Sequence, residues 1–373
     1  MIRIKELSSY EEFRGMKEAW GDLITRSKAD NVFLTYDWMN SYIKNCCNGN
    51  RLIILTVFDD DAMVGIAPLM VRRHGVMGLY ARSVCFIGTT ASDRMDFILD
   101  GPREKCVLSI MDYLIGIGRD WDFLDFHEIV RFSGTAETIK KWVKLRDLKS
   151  VSGPWDRSFF IKLNDNVDFI LKKVSKKFHR KTKKLNKEVR ANLEFRRYRH
   201  NEVKEALLDE IQFIASRSWK GTGHKSVFLK HGIRDFHKDI FLGFANSGCL
   251  DISILKMGDT PIAYIYNFLY NGRLSNYSIE FDSRYSHMSP GTMLMLWSIE
   301  NAISKGIKEI DFGRGEEEWK TRLTQDFRMQ EKVRIFNDNF YGKGLYLLYS
   351  AIKRIKRHRI IYGILRKIKQ VFI

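Results

Sequence analysis

At 373 residues, 45% hydrophobic and 13% aromatic, the chain is too long for one ordinary core and comfortable for two, so two packed domains are expected. Five cysteines, an odd count with no C-x-x-C pair and no histidine at zinc-finger spacing, argue against a disulfide framework and a metal site, and the polar N-terminus with no run of about 18 apolar residues argues against export or a membrane span. The net charge of +18 is concentrated: residues 172–199 hold thirteen Lys/Arg against Glu188 and Glu194, residues 339–373 hold nine and no acid, and two local anion-facing surfaces are therefore expected on a nearly neutral, cytoplasmic body.

In chain order, the apolar runs 51–58 and 62–71 flank an Asp-Asp-Asp turn and predict a hairpin. A strand at 83–87, a helix over 104–118 and a buried strand at 121–126 follow. Ile170, Val174, Phe178, Leu185 and Val189 recur mostly at four-residue spacing, which predicts an amphipathic helix with lysines on its other faces. An ordinary surface helix mixes Glu with Lys. The scarcity of acids here favours an anionic acceptor, such as a lipid-linked sugar phosphate or a nucleotide sugar, contacted by Arg180 and Lys184 one turn apart. Trp219, followed by Gly221-Thr-Gly223, is either an aromatic wall for a sugar or a core residue before a turn.

The second half repeats the pattern. Runs 250–256 and 261–269 make a hairpin, 273–281 a third strand, 290–305 a helix and 307–312 a strand, with Leu124-Asp-Phe126 answered by Ile310-Asp-Phe312. This order predicts a tandem duplication of one α/β unit, divided as domains 1–160 and 161–340 with a basic tail, 341–373.

Where strand hands over to helix in the second copy stands Ser289-Pro290-Gly291-Thr292. A helix start has unpartnered N–H groups and a positive dipole end, so this loop suits a pyrophosphate, although Pro290 and Gly291 equally suit a plain helix start. The first copy has Gly101-Pro102 followed by Arg-Glu-Lys there, so at most one cofactor socket is expected. Near the loop, Asp282 and Asp311 are candidate proton acceptors, with Glu280 behind them and His287 as a second-rank base; each also suits a solvated or capping role. Arg314, in Asp311-Phe-Gly-Arg-Gly315, either pairs with a substrate phosphate or carboxylate or caps the helix begun by Glu316 to Glu318.

The ordered set Tyr277-Ser-Ile-Glu-Phe-Asp282, Ser289-Pro-Gly-Thr292 and Asp311-Phe-Gly-Arg-Gly315 with Trp319-Lys320 resembles the GNAT-fold acetyltransferases of the cellulose-biosynthesis (CelD/BcsL) type over roughly residues 170–325. It is similar, more distantly, to the Fem-type peptidyltransferases, which have two GNAT-like domains. The resemblance implies an α/β (α+β) fold of tandem GNAT-like domains, with mixed twisted sheets flanked by helices. It further implies acetyl-CoA or another acyl-CoA as donor, an amine or hydroxyl acceptor, no metal, and a role for Lys320 beside Trp319. Without the resemblance, Trp319 reads as core and Lys320 as a surface cation. The chain lacks the Q/R-x-x-G-x-G/A phosphate loop of typical GNAT enzymes. Two alternatives remain: an aminoacyl-tRNA donor, as in the Fem branch, and a non-catalytic partner protein on a GNAT fold. No helix-turn-helix, RRM or zinc-finger pattern is present, which places nucleic acid behind acyl-CoA.

In the tail, Ile360, Ile361, Ile364, Leu365, Ile368, Val371 and Phe372 form one helical stripe with Arg359, Arg366, Lys367 and Lys369 mainly opposite. Such an end either lies in an anionic membrane interface, here the inner face, or packs on the domain.

Overall fold

The structure, a computed structural model, describes residues 2–357 except 28, 30, 48, 77, 78, 164–166, 186, 224, 225, 231, 245 and 246. The first half contributes strands β1 (Ile2–Leu7), β2 (Arg51–Asp59), β3 (Ala62–Val76), β4 (Leu79–Phe86), β5 (Ile98–Leu99), β6 (Phe123–Val130) and β7 (Ser150–Lys162). The second contributes β8 (Leu193–Arg199), β9 (Leu250–Met257), β10 (Thr260–Tyr270), β11 (Arg273–Phe281), β12 (Glu309–Arg314) and β13 (Phe327–Phe336). All thirteen form one sheet, ordered β1-β2-β3-β4-β6-β13-β7-β12-β11-β10-β9-β8, with β5 beside β3.

Each half lays down antiparallel strands and then takes one parallel step, β4 to β6 and β11 to β12. A parallel step needs a crossover. The helices Arg103–Gly116 and Pro290–Ser304 supply it, as the repeated sequence pattern predicts. The last strand of each half is then exchanged: β7 follows β6 in the chain but pairs with β12, β13 follows β12 but pairs with β6, and β7 and β13 pair with each other. The expected boundary after residue 160 therefore falls inside β7. Neither half completes its sheet without the other.

The hydrophobic core crosses the halves as the sheet does. Phe33 and Trp38 pack edge-on to Phe268, and both contact Tyr277. Trp38 is fully buried, so truncating it to alanine would cost about 3–5 kcal/mol. The other face of the second half is covered by the helices Val167–Lys183 and Pro290–Ser304. The latter buries Met293, Leu294, Met295, Leu296, Ile299 and Ala302, the all-round apolar pattern of a buried helix.

Two expectations need correction. The basic segment is not one helix: it breaks after Lys183 and resumes at Lys187–Ala191, so Leu185 and Val189 leave the stripe of Ile170 and Val174. Lys184 lies past the helix end, its N–H bonded to Lys181 O at 3.2 Å, and is not one helical turn from Arg180 within a common helix. In the tail, the helix Phe340–Arg357 docks through Leu345 on Ala81, Phe123 and Phe336, so the expected tail begins as part of the body. The stripe from Ile360 to Phe372 lies outside the described residues. Among the described residues no helix is long and apolar enough to cross a membrane.

Candidate functional site

β11 and β12 pair only at Arg273↔Glu309, Leu274↔Ile310 and Ser275↔Asp311. Two residues further on, Tyr277 is a bulge in β11: Ser278 pairs with Tyr266 and Asn276 with Asn267, leaving Tyr277 extra. A bulge bends and twists its strand. From there the two strands part, and a cavity of about 600 Å³ opens between them. Its walls are β11 from Asn276, the end of β12, the first turns of the helix Pro290–Ser304, the basic helix, Trp219 with Lys220, and Trp319 to Leu323. The matching step in the first half also pairs briefly, at Ser83↔Phe123 and Val84↔Leu124, but Met95 bridges to Ile129 there and Phe86, Phe97 and Phe126 pack together in that region.

One wall residue comes from the first half. Asp93 reaches the cavity at Gly313, whose φ of +69° and lack of a side chain let the carboxylate approach. The loop that carries Asp93 is tied at several points. Trp38 Nε1 donates to Ser92 Oγ at 2.9 Å, Gln330 Nε2 to Asp93 O at 2.6 Å, Asn31 Nδ2 to Arg94 O at 3.1 Å, and Met95 N to Glu128 O at 3.0 Å. Arg94, itself buried, pairs with Asp311 at 3.2 Å. These ties hold an irregular segment, and so the side chains it carries, in one place.

Arg314 joins this carboxylate to a second one. Its Nε lies 3.0 Å from Asp93 Oδ1 and its Nη1 2.7 Å from Glu128 Oε1. Burial pushes the Asp93 carboxyl up, against the pull of Arg314 and Lys320. Burial likewise raises Glu128 to about 7 despite Arg314 and His127. Glu128 also has a φ of +60°, which is uncommon for a residue with a side chain, and strained backbone of this kind gathers at working sites.

The opposite rim is cationic. Lys177, Arg180, Lys181 and Arg322 line it. Arg322 is held by Glu318 at 2.5 Å, but among the described residues no carboxylate pairs with Arg180 or Lys181. Burial lowers the Lys181 ammonium, and Lys184, Arg180 and Arg322 push it down further. Crowded cations of this sort are relieved by a bound anion.

Of the residues expected from sequence, the cavity brings together Arg180, Trp219, Gly291, Thr292, Arg314 and Lys320. The others stand elsewhere. Asp282 lies beyond the end of β11, fully buried as the cap of the turn 283–288; burial works against its ionisation, but hydrogen bonds from Arg284 side chain and backbone outweigh it and lower the carboxyl. Asp311 accepts the Gly313 N–H at 2.8 Å and lies between Arg94 and Arg328. Glu280 is anchored by Ser218 and by Ser226 at 2.9 Å. His287 is exposed on the turn and off the cavity wall.

The expected anion loop is also reshaped. Pro290 has no N–H, and those of Thr292 and Met293 bond to Ser289 O at 3.0 and 3.1 Å, so this helix start offers an anion fewer donors than an open one. Gly291 serves close packing: a Cβ there would lie 3.1 Å from the Phe281 ring. Arg314 is engaged by protein carboxylates rather than left free for a phosphate. Lys320 is buried, not a surface cation, and binds Gly313 O and Arg314 O at 3.3 and 2.6 Å, clamping the end of β12.

Residues 172–321 match the Acetyltransferase (GNAT) domain family. No curated protein matches the chain. Among solved structures, the chain is similar to FemX, at 11% identity and a TM-score of 0.59 over 88% of this chain and 97% of that one. It is similar to the C-terminal domain of a putative lysylphosphatidylglycerol synthetase from Agrobacterium fabrum, at 10% identity and a TM-score of 0.55 over 91% and 96%. A tandem GNAT protein from the clavulanic acid biosynthesis pathway gives 10% identity and a TM-score of 0.51 over 90% and 98%. At these identities the structures speak for fold alone. The chain carries a GNAT-fold acyltransferase domain in its second half, within the architecture of tandem GNAT proteins.

Proposed function

We propose that the protein moves an acyl group from acetyl-CoA or a related acyl-CoA to an amine or hydroxyl of a sugar or polysaccharide precursor, with Asp93 as the proton acceptor. The observation that carries this reading is the meeting, in one cavity, of a half-buried carboxylate with a raised pKa and a crowded cation rim. A thioester is already activated, so the protein must hold donor and acceptor together and remove one proton. The donor phosphates face Arg180, Lys181 and Arg322. Past Ser275 the backbone of β11 no longer pairs with β12, and the N–H groups on that edge would face the donor's amides and acyl oxygen.

The acceptor nitrogen or oxygen attacks the acyl carbon and its proton passes to Asp93. The C–S bond breaks and the thiolate leaves. Arg314 positions Asp93 and shares its charge with Glu128, which keeps the base from being fixed in a single tight ion pair. Trp219, 56% exposed on the cavity wall, offers an apolar face to a sugar ring, in keeping with the resemblance to the cellulose-biosynthesis type. Exposed cations beyond the rim, Lys187 and Arg190 among them, favour an aminoacyl-tRNA donor as the second reading.

Thiol release from acetyl-CoA over a panel of amino sugars and sugars tests this directly. Asp93→Asn should slow turnover by about 10²-fold or more while leaving acetyl-CoA affinity nearly unchanged. Undiminished turnover in that variant would remove Asp93 from the role, and activity confined to an aminoacyl-tRNA donor would favour the second reading.

A further inference from the structure

A second surface of unusual composition lies where the helix Phe340–Arg357 meets the start of β4. Tyr80 is 87% exposed, Phe340 96% and Leu347 67%. Phe340 and Leu347 lie two turns apart and so share a face of the helix. That face points away from Leu345, which is buried on Ala81, Phe123 and Phe336. The Tyr341 hydroxyl donates to Tyr80 O, which joins the helix start to the strand start. Leu79, next to Tyr80, is also exposed.

The surroundings are cationic. Arg73 shares a shallow pocket with Tyr80 and Tyr341, and Lys353 and Arg354 lie further along the helix. Lys343 is paired with Asp338 at 3.0 Å, the last acid of the chain; residues 339–373 hold nine Lys/Arg and neither Asp nor Glu. Water alone gives no reason to expose a phenylalanine, a leucine and a tyrosine on adjoining elements. Exposed aromatic and aliphatic side chains with arginine and lysine on the adjoining strand and helix suit the interface of an anionic bilayer, where the rings sit at headgroup depth and the cations face acidic lipid.

We propose that Tyr80, Phe340 and Leu347, with Arg73, Lys353 and Arg354, form a face that docks on an anionic lipid bilayer. This docking stands apart from the acyl-transfer reading.

The full chain is sedimented with vesicles of phosphatidylcholine, with and without phosphatidylglycerol. Binding should need the acidic lipid and fall as salt rises. Phe340→Ser with Leu347→Ser, and separately Lys353→Glu with Arg354→Glu, should each weaken binding by roughly tenfold or more. Thermal unfolding should be unchanged, since these side chains are exposed. Lack of binding by the parent, equal binding to neutral vesicles, or full binding by both double variants would overturn the proposal. So would a lipid-free dimer that the serine pair dissociates, because the apolar face would then belong to a second copy of the chain.

Discussion

At Gly313 the carboxylate of Asp93, from the first half, meets the end of β12. A Cβ there would stand 2.7 Å from Asp93 Oδ2 and 2.8 Å from Asn276 O, at a φ that side chains rarely adopt. Gly313→Ala should therefore destabilise the fold by about 1–3 kcal/mol and displace the carboxylate it faces. Denaturant midpoints alongside turnover would show it, and an alanine variant with parental values in both would contradict the geometry.

Glu128 gives a pH signature. Burial moves its carboxyl from the ordinary 4.5 to about 7, so the folded state holds a proton that the unfolded state has released. The stabilisation from that proton is complete below the unfolded value and lost as pH rises through the folded one. Relative to Glu128→Gln, the parent should thus lose stability between about pH 4.5 and about 7. A stability difference that stays flat over that window would mean the group is not held neutral. None of this was legible in the sequence, where Asp93 and Glu128 are two acids far from the glycine and arginine they face. Periodicity reports the faces of local elements and carries no information on which distant loop meets them.

At the scale of elements, the hairpins 51–71 and 250–269, the strand 273–281 and the helix from Pro290 were legible because each has its own period and turn. The helices Lys17–Ser27 and Tyr36–Cys46 and the strands β1, β7 and β8 were not. β7 carries glycine, proline and polar side chains among few apolar ones, and what fixes it is pairing with β12 and β13. The Ser-Pro-Gly-Thr loop was located, yet its glycine packs against Phe281. Gly291→Val should accordingly press on that ring, narrow the cavity and weaken acetyl-CoA binding while the helix persists. Unchanged affinity would show that the ring yields without consequence.

For the whole molecule, the exchange of β7 and β13 and the core shared through Trp38 and Tyr277 make two sequence repeats into one cooperative unit. Tandem domains with separate sheets would unfold separately. Here tryptophan fluorescence and far-ultraviolet circular dichroism should give one coincident thermal transition, and two resolved transitions would contradict a shared sheet. The duplication itself was visible in the repeated strand and helix order. Its interlocking was not, since strand exchange leaves both repeats with the same local pattern.

The central claim is that an anionic acyl donor occupies the opening between β11 and β12, with its phosphates on the cation rim. Calorimetric titration of acetyl-CoA into the parent and into Arg180→Glu with Lys181→Glu is the most direct test. Binding by the parent, weakened about tenfold or more in the double variant with an unchanged melting temperature, is the expected result. Equal affinity in the two proteins, or no binding by either, would contradict it.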